Sequence, residues 1–326
     1  MTNEINIAAD LLRKGSVVAI PTETVYGLAA NAFNENAVMQ VFEIKQRPLF
    51  NPLIVHIKSI DYLDTIAFNI PPIAYELANR FWPGALTLVL EKKSNISDKV
   101  TSGKPTVGVR VPSHPIALAL LESLDFPLAA PSANPFGYIS PTTSDHVKKQ
   151  LGDKIPYILE GGSCDKGIES TIIGFVNDKP VLYRVGAISK EEIEKCIGNL
   201  EIKNTASASP DAPGMINKHY SPKTKFIVSN NISNTIKDNI NLNVGFLLFK
   251  NNDEYLSTNK YIELSAVENL EEAAKNLYAA MHKLDAMHFD IIFAEKFPEK
   301  QLGITINDRL YRAQEEHFEY KKINSN

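Results

Sequence analysis

A regular alternation constrains the fold most. From the start of the chain to about residue 200, short apolar runs of strand length alternate with amphipathic segments of helical length. "SVVAI" (Ser16 to Ile20), "LIVHI" (Leu53 to Ile57), "ALTLVL", "TVGVRV", "PLAA", "YIL", "STIIGF" and "VLYRV" read as strands. Asn34 to Ile44 reads as a helix, with Asn34 as N-cap and Ala37, Val38, Val41 and Phe42 on one face. Further helical patterns fall near Ile73 to Phe81, Ile116 to Ser123 and Ser144 to Leu151. Strands alternating with helices predict an α/β domain.

The texture changes at Glu201. "EIKNTASASPDAPGMINKHYSPK", residues 201–223, has no periodicity and reads as an interdomain linker. Within it, "PGMINKHYSP" places Met, His and Tyr where a passive spacer has little use for them. From residue 224 to 326 a smaller α/β unit follows. Its strands are "KFIVS", "VGFLLF", "YIEL" and "IIFAE", and Asn269 to Met287 is a helix with Leu270, Ala273, Ala274, Leu277, Met281 and Leu284 on one face. A last helix is expected to begin near Asn307, capped by Asn307 or Asp308. The pattern suggests a Rossmann-like parallel sheet, but no G-x-G-x-x-G accompanies it, so the fold alone licenses no nucleotide there.

Bulk numbers narrow the function classes. The chain has 326 residues, 44% hydrophobic and 22% charged, enough apolar material for a substantial core. A net charge of −4 gives no general basic footprint, so direct tRNA binding is expected to be weak or absent. No apolar run reaches the length of a membrane span. The start, "MTNEINIAADLLRKG", is amphipathic and lacks a signal-peptide h-region, so the expected location is cytoplasmic with no membrane partner. Cys164 and Cys196 lie in unrelated contexts and form no zinc spacing.

No Walker A, H-E-x-x-H or G-x-S-x-G motif occurs. Polar clusters at strand ends remain, all in the first domain. "PTETVYGLAANAF" carries Thr22, Glu23, Thr24 and Tyr26 before Gly27, either as a capped turn or as a clasp for a polar small molecule. "IKQRPLFNPLIVHI" groups Lys45, Arg47 and Asn51 around a turn stiffened by Pro48 and Pro52, and His56 lies in the strand it feeds. In "TVGVRVPSHP", strand alternation puts Thr106, Gly108 and Arg110 on one face. "LAAPSANPFGYISPTT" offers Ser132, Asn134 and Ser140; "GIESTIIGF" and "VLYRVG" add Glu169, Ser170, Thr171 and Arg184. Three arginines, a lysine, a histidine and many hydroxyls suit an anionic nucleotide and a zwitterionic small molecule. Catalysis would then come from alignment and charge neutralisation, as in nucleotidyl transfer.

These clusters, in this order, resemble the YrdC/YwlC family of threonylcarbamoyl-AMP synthases. The matching segments are "PTETVYGLAANAF", "KQRPLFNPLIVHI", "FWPGALTLVL", "VGVRVPSHP", "LAAPSANPFGYISPT", "GGSCDKGIESTII" and "LYRVGAI", over nearly all of residues 1–190. "PGMINKHYSP" and the tail ending "GITINDRLYRA" resemble the longer two-domain, Sua-type form. The resemblance implies a strongly twisted YrdC-like α/β sheet domain (residues 1–200), a linker that closes over the active site (201–223) and a smaller Rossmann-like parallel α/β domain (224–326). It implies that L-threonine, bicarbonate and ATP yield threonylcarbamoyl-AMP, pyrophosphate and water, and that the product passes to a tRNA-modifying transferase complex. Threonine contacts are implied for Thr24, His56, Arg110, the backbone near Ala130, and Ser170. ATP contacts are implied for Arg47, Asn51, Thr106, Ser132, Ser140, Arg184 and Tyr220, with Lys45 and Arg47 as catalytic cations beside the phosphates. Mg²⁺ is expected with ATP, though no dedicated protein cage for it is visible. His56 either only holds threonine or also moves a proton.

Overall fold

The computed structural model describes residues 2–202, 219–239, 241–251 and 260–314. Its first part is a mixed sheet built from β1 (Val18–Ile20), β2 (Gly27–Asn31), β3 (Ile54–His56), β4 (Ala67–Phe68), β5 (Leu86–Lys92), β6 (Thr106–Arg110), β7 (Leu128–Ala129), β8 (Thr171–Val176), β9 (Lys179–Arg184) and β10 (Glu201–Ile202). The spatial order is β1-β2-β7-β3-β6-β5-β8-β9-β10, with β4 on β5. The β3–β6, β5–β8 and β9–β10 pairs are parallel and the other pairs antiparallel.

Alternation divides the strands between two cores. Ala19, Leu28 and Ala30 point into one that holds the buried faces of α2 (Glu35–Lys45) and α3 (Pro72–Phe81). Val18, Ile20 and Ala29 point into the other, against α1 (Thr2–Arg13) and α5 (Pro115–Glu122), to which Leu12, Leu120 and Leu121 contribute. The short α4 (Asp98–Thr101), α6 (Ser144–Leu151) and α7 (Lys190–Ile197) complete this part. Asn34 caps α2 as the sequence suggests, its Oδ1 accepting from Ala37 N at 3.1 Å. "YIL" forms no strand; Ile158 makes only an isolated bridge to Ala19.

The second part is a parallel sheet in the order β11-β14-β12-β13. Its strands are β11 (Lys225–Ser229), β12 (Val244–Leu248), β13 (Tyr261–Glu263) and β14 (Ile291–Glu295), and its helices α8 (Ile232–Asn239), α9 (Leu270–Asp285) and α10 (Leu302–Ala313). The last helix begins at Leu302, not near Asn307. Asn307 is no cap: its side chain spans the backbone of Phe297, accepting from its N–H at 2.8 Å and donating to its C=O at 2.9 Å. An asparagine can read as a local cap when its partner lies elsewhere in the chain.

Glu201 and Ile202 still pair with β9, and β11 begins at Lys225, at the two ends of the segment read as a linker. Residues 213–218 of "PGMINKHYSP" lie outside the described residues; His219 and Tyr220 lie within them. Among the described residues no helix is long and apolar enough to cross a membrane.

The two parts pack closely. Thr305 Oγ1 donates to Gly186 O at 3.0 Å, and Gln301 N to Glu191 Oε1 at 3.0 Å. Gly167, at φ +68°, lies so close to α9 that a Cβ there would sit 2.2 Å from Lys275 O. A backbone atom cannot swing aside as a side chain can. Gly167→Ala is therefore expected to destabilise the protein by about 1–3 kcal/mol, through left-handed strain and overpacking. The chemical denaturation midpoint checks this; a midpoint equal to wild type would contradict the close approach.

Candidate functional site

Register assembles one wall. In the parallel β3–β6 pair, Ile54 lies beside Gly108 and His56 beside Arg110. Val55, Val107 and Val109 face the core, so Ile54, His56 and Arg110 face the opposite side, where they line a cavity that opens to solvent. Thr22, Thr24, Gly27, Arg47, Ala130, Pro131, Ser132, Glu169, Ser170, Arg184, His219 and Tyr220 complete most of its lining.

Each cation is held differently. Arg110 donates through Nε to Gly84 O at 3.0 Å and through Nη1 to Thr24 Oγ1 at 2.9 Å, and its Nη2 lies 2.5 Å from the buried carboxylate of Glu23. Arg47 follows the end of α2, where Gln46 turns left-handed at φ 53°. Its Nε donates to Asn51 O at 3.0 Å and its Nη2 to Pro52 O at 2.8 Å, so the proline turn grips the guanidinium through its carbonyls. Arg184 donates to Ser170 O from Nε at 3.1 Å and from Nη2 at 2.8 Å, and Ser170 Oγ pairs with Thr87 Oγ1 at 2.8 Å.

His56 is buried and its Nδ1 has no hydrogen-bond partner among the described residues. Burial, then the charge of Arg110, push its pKa down to about 3, so the ring is neutral near pH 7. Asn51 is fully buried, and neither of its side-chain polar atoms has a hydrogen-bond partner among the described residues. Such groups cost free energy unless a ligand or water meets them.

Of the expected site residues, Thr24, Arg47, His56, Arg110, Ala130, Ser132, Ser170, Arg184 and Tyr220 surround this one cavity. Lys45, Asn51, Thr106 and Ser140 are off its lining. Thr106 lies at the far end of β6, opposite Glu91. Ser140 Oγ donates to Glu169 Oε1 at 2.7 Å behind the wall. The Lys45 ammonium reaches Ser132 O and Asn134 O, each at 2.5 Å.

Sequence reasoning gave no role to Glu169 and did not anticipate its partners. Glu169 Oε2 accepts from Tyr278 OH at 2.9 Å and Arg309 Nε at 2.8 Å, both supplied by the second domain. Arg309 Cζ also lies 5.1 Å from the Tyr220 ring centre, and Tyr278 stacks near the same ring at 5.7 Å. Nothing local in the sequence pointed to Arg309 or Tyr278 as its partners. Glu23 stood among hydroxyls in "PTETVYG", with no sign that its partner would be Arg110.

Among the described residues no group of three or more His, Cys, Asp or Glu side chains is placed to hold a metal ion. Glu169, the carboxylate on the cavity wall, already has three protein donors.

Burial alone would raise the pKa of Glu169, but the charges of Arg309 and Arg184 and the donors Arg309 and Ser140 hold it at about 2. A depressed folded-state value gives stability that is complete above the ordinary value of 4.5 and is lost as pH falls toward about 2. Glu169→Gln should accordingly flatten the fall in urea midpoint below pH 4.5, the ordinary value, relative to wild type. Parallel curves for the two proteins would reject the assignment.

Comparison with known proteins agrees with this geometry. The Sua5/YciO/YrdC family model, described as telomere recombination, matches residues 10–186. The Sua5 C-terminal model, described as the threonylcarbamoyl-AMP synthase C-terminal domain, matches residues 188–314. The threonylcarbamoyl-AMP synthase of Pyrococcus abyssi is 42% identical, over 95% of this chain and 94% of that one. That of Bacillus subtilis is 41% identical, over 96% and 94%. The structure is similar to P. abyssi Sua5 complexed with L-threonine, with a TM-score of 0.88 and 41% identity over 95% of this chain and 93% of that one. A variant of that protein with a neighbouring His and Tyr both replaced by Ala matches with a TM-score of 0.87 and 41% identity, over 95% of this chain and 92% of that one. With both parts of the chain matched in order and at this identity, the protein belongs to the Sua5/YciO/YrdC family, in its two-domain Sua5 form.

Proposed function

We propose that this chain is an L-threonylcarbamoyladenylate synthase, a nucleotidyltransferase that converts L-threonine, bicarbonate and ATP to threonylcarbamoyl-AMP, pyrophosphate and water. The carrying observation is the juxtaposition of His56 and Arg110 on adjacent strands, in one cavity with Arg47, Arg184 and Tyr220. That arrangement offers a place for a zwitterion beside a place for a polyanion.

Threonine sits against Thr24, His56, Arg110, the backbone at Ala130, and Ser170. Arg110 keeps one N–H on each terminal nitrogen beyond its bonds to Thr24 and Glu23, enough to fork onto the threonine carboxylate. The open Nδ1 of neutral His56 accepts a hydrogen bond from the amine or hydroxyl of threonine. ATP runs along Arg47, Ser132 and Arg184, under Tyr220, the expected nucleotide residues that line the cavity. His219–Tyr220 is the consecutive His-Tyr pair of this chain and belongs to the segment that closes the nucleotide end.

The threonine ammonium gives one proton to solvent, and the free amine attacks the carbon of CO₂ released from bicarbonate; a C–N bond forms, a C=O π pair moves onto oxygen, and the nitrogen gives a second proton to the hydroxide left by bicarbonate, giving a carbamate and water. A carbamate oxygen then attacks the α-phosphorus of ATP, the bond to the β-phosphate oxygen breaks, and pyrophosphate leaves. Arg47 and Arg184 neutralise charge on the phosphates, and alignment in the cavity supplies the rest. Mg²⁺ would enter with ATP as part of the substrate and would supply charge neutralisation there, since Glu169 on the cavity wall is already engaged by Ser140, Tyr278 and Arg309. The product then passes to a tRNA-modifying transferase complex.

The direct test is release of pyrophosphate from ATP in the presence of bicarbonate, with and without L-threonine, and detection of threonylcarbamoyl-AMP by mass spectrometry. Pyrophosphate that does not depend on threonine would sink the proposal. Arg110→Lys keeps the charge opposite Glu23 but loses the fork. It should raise the KM for threonine about tenfold, about 1.4 kcal/mol, and leave the KM for ATP nearly unchanged. Equal losses for both substrates would count against Arg110 as the carboxylate partner.

A further inference from the structure

Lys45 is 1% exposed, and its ammonium is spoken for. Nζ contacts Ser132 O and Asn134 O at 2.5 Å and Asn134 Oδ1 at 3.5 Å, which accounts for its three N–H groups. Its backbone ties down the same loop, since Phe136 N donates to Lys45 O at 2.8 Å. Asn134 extends the tie: its Nδ2 donates to Pro135 O at 3.0 Å and Tyr138 O at 2.9 Å. One lysine therefore grips residues 132–138 at both ends of its own structure, backbone and ammonium.

That loop has two clients. One is the cavity, which Ser132 lines. The other is the His219–Ser221 segment. Ser221 N donates to Gly137 O at 2.8 Å, Tyr138 and Ser221 form a bridge, and the Phe136 ring meets the His219 ring edge-on at 5.7 Å. Gly137 reaches this position at φ +85°, a conformation open to glycine at little cost. We propose that Lys45 is a positioning residue: it pins the 132–138 loop, which places Ser132 in the site and forms the dock for His219–Ser221, and it does not itself neutralise phosphate charge. Charge neutralisation then falls to Arg47 and Arg184, both of which line the cavity.

The nucleotide half of this inference rests on the proposed activity; the docking half does not, so the two can fail separately. Lys45→Met tests both. In the absence of any nucleotide, hydrogen exchange at the amides of Phe136 and Ser221 should accelerate at least tenfold, while the amides of Phe246 and Ala294 in the second sheet keep wild-type rates. In pyrophosphate release, the KM for ATP should rise at least tenfold with kcat reduced less than threefold. The KM for threonine should stay within threefold of wild type. Wild-type exchange at Phe136 and Ser221 together with a collapse of kcat would return Lys45 to the phosphates and overturn the proposal. Faster exchange throughout the second sheet as well would make the role one of general stability, and would overturn it too. The wild-type enzyme provides a second measurement that needs no folded variant. The ¹⁵Nζ resonance of Lys45 should keep its position and its slow proton exchange when a non-hydrolysable ATP analogue is added. A shift as large as that of the Arg47 guanidinium resonances would refute the proposal.

Discussion

The buried contact between Glu169 and Arg309 is the interaction on which the site depends. Arg309 is 0% exposed and comes from α10; Glu169 sits on the cavity wall just before β8. A lone carboxylate at that depth would be neutral and a lone guanidinium prohibitive, since each ion loses several kcal/mol of hydration on burial. Together, with Ser140 and Tyr278 also donating to the carboxylate, both stay charged. Losing either partner of such a pair typically costs about 3–5 kcal/mol, because the other is left stranded. The second domain thus backs the wall of the first domain's site, through its hold on Glu169.

The same arginine supports the aromatic cap. Tyr220 lies over Arg309 and near Tyr278, with His219 at 4.1 Å on its other side. Arg312 O accepts from His219 N at 3.0 Å, so α10 holds this segment through backbone and side chain alike. The cap is consequently anchored to the second domain and docked on the first. Tyr220 is thereby held buried at the cavity, and a low-polarity ring beside the site strengthens the charge interactions next to it.

Much of this was legible residue by residue. Strand alternation assigned Arg110 to the face opposite Val107 and Val109, and Asn34 announced the start of α2, because both signals are local: a period of two in one case, a side chain reaching three residues on in the other. Arg47, Asn51 and His56 stood out as too polar for a turn feeding an apolar strand. Other features had no local trace. Asn307 looked like a helix cap because a cap and a tertiary clamp use the same amide chemistry, and only the position of Phe297 tells them apart. Lys45 stood out beside Arg47 and a proline turn, but nothing near it in the chain named the carbonyls its ammonium meets. The carbonyls that accept its hydrogen bonds come from residues 132 and 134, far along the chain.

By itself the amino-acid sequence determined the two α/β units, the strand faces, the absence of nucleotide and hydrolase signatures, and the set of polar groups suited to a zwitterion and a polyanion. Periodicity, capping and charge are properties of neighbouring residues, and neighbours are what a sequence records. Only the tertiary structure decided which of those polar groups meet: His56 beside Arg110 through strand register, Arg110 against Glu23, Glu169 clasped by Arg309 and Tyr278 from the other domain. Those pairings depend on how the two units pack, and packing is set by shape and burial across the whole chain rather than by any segment of it.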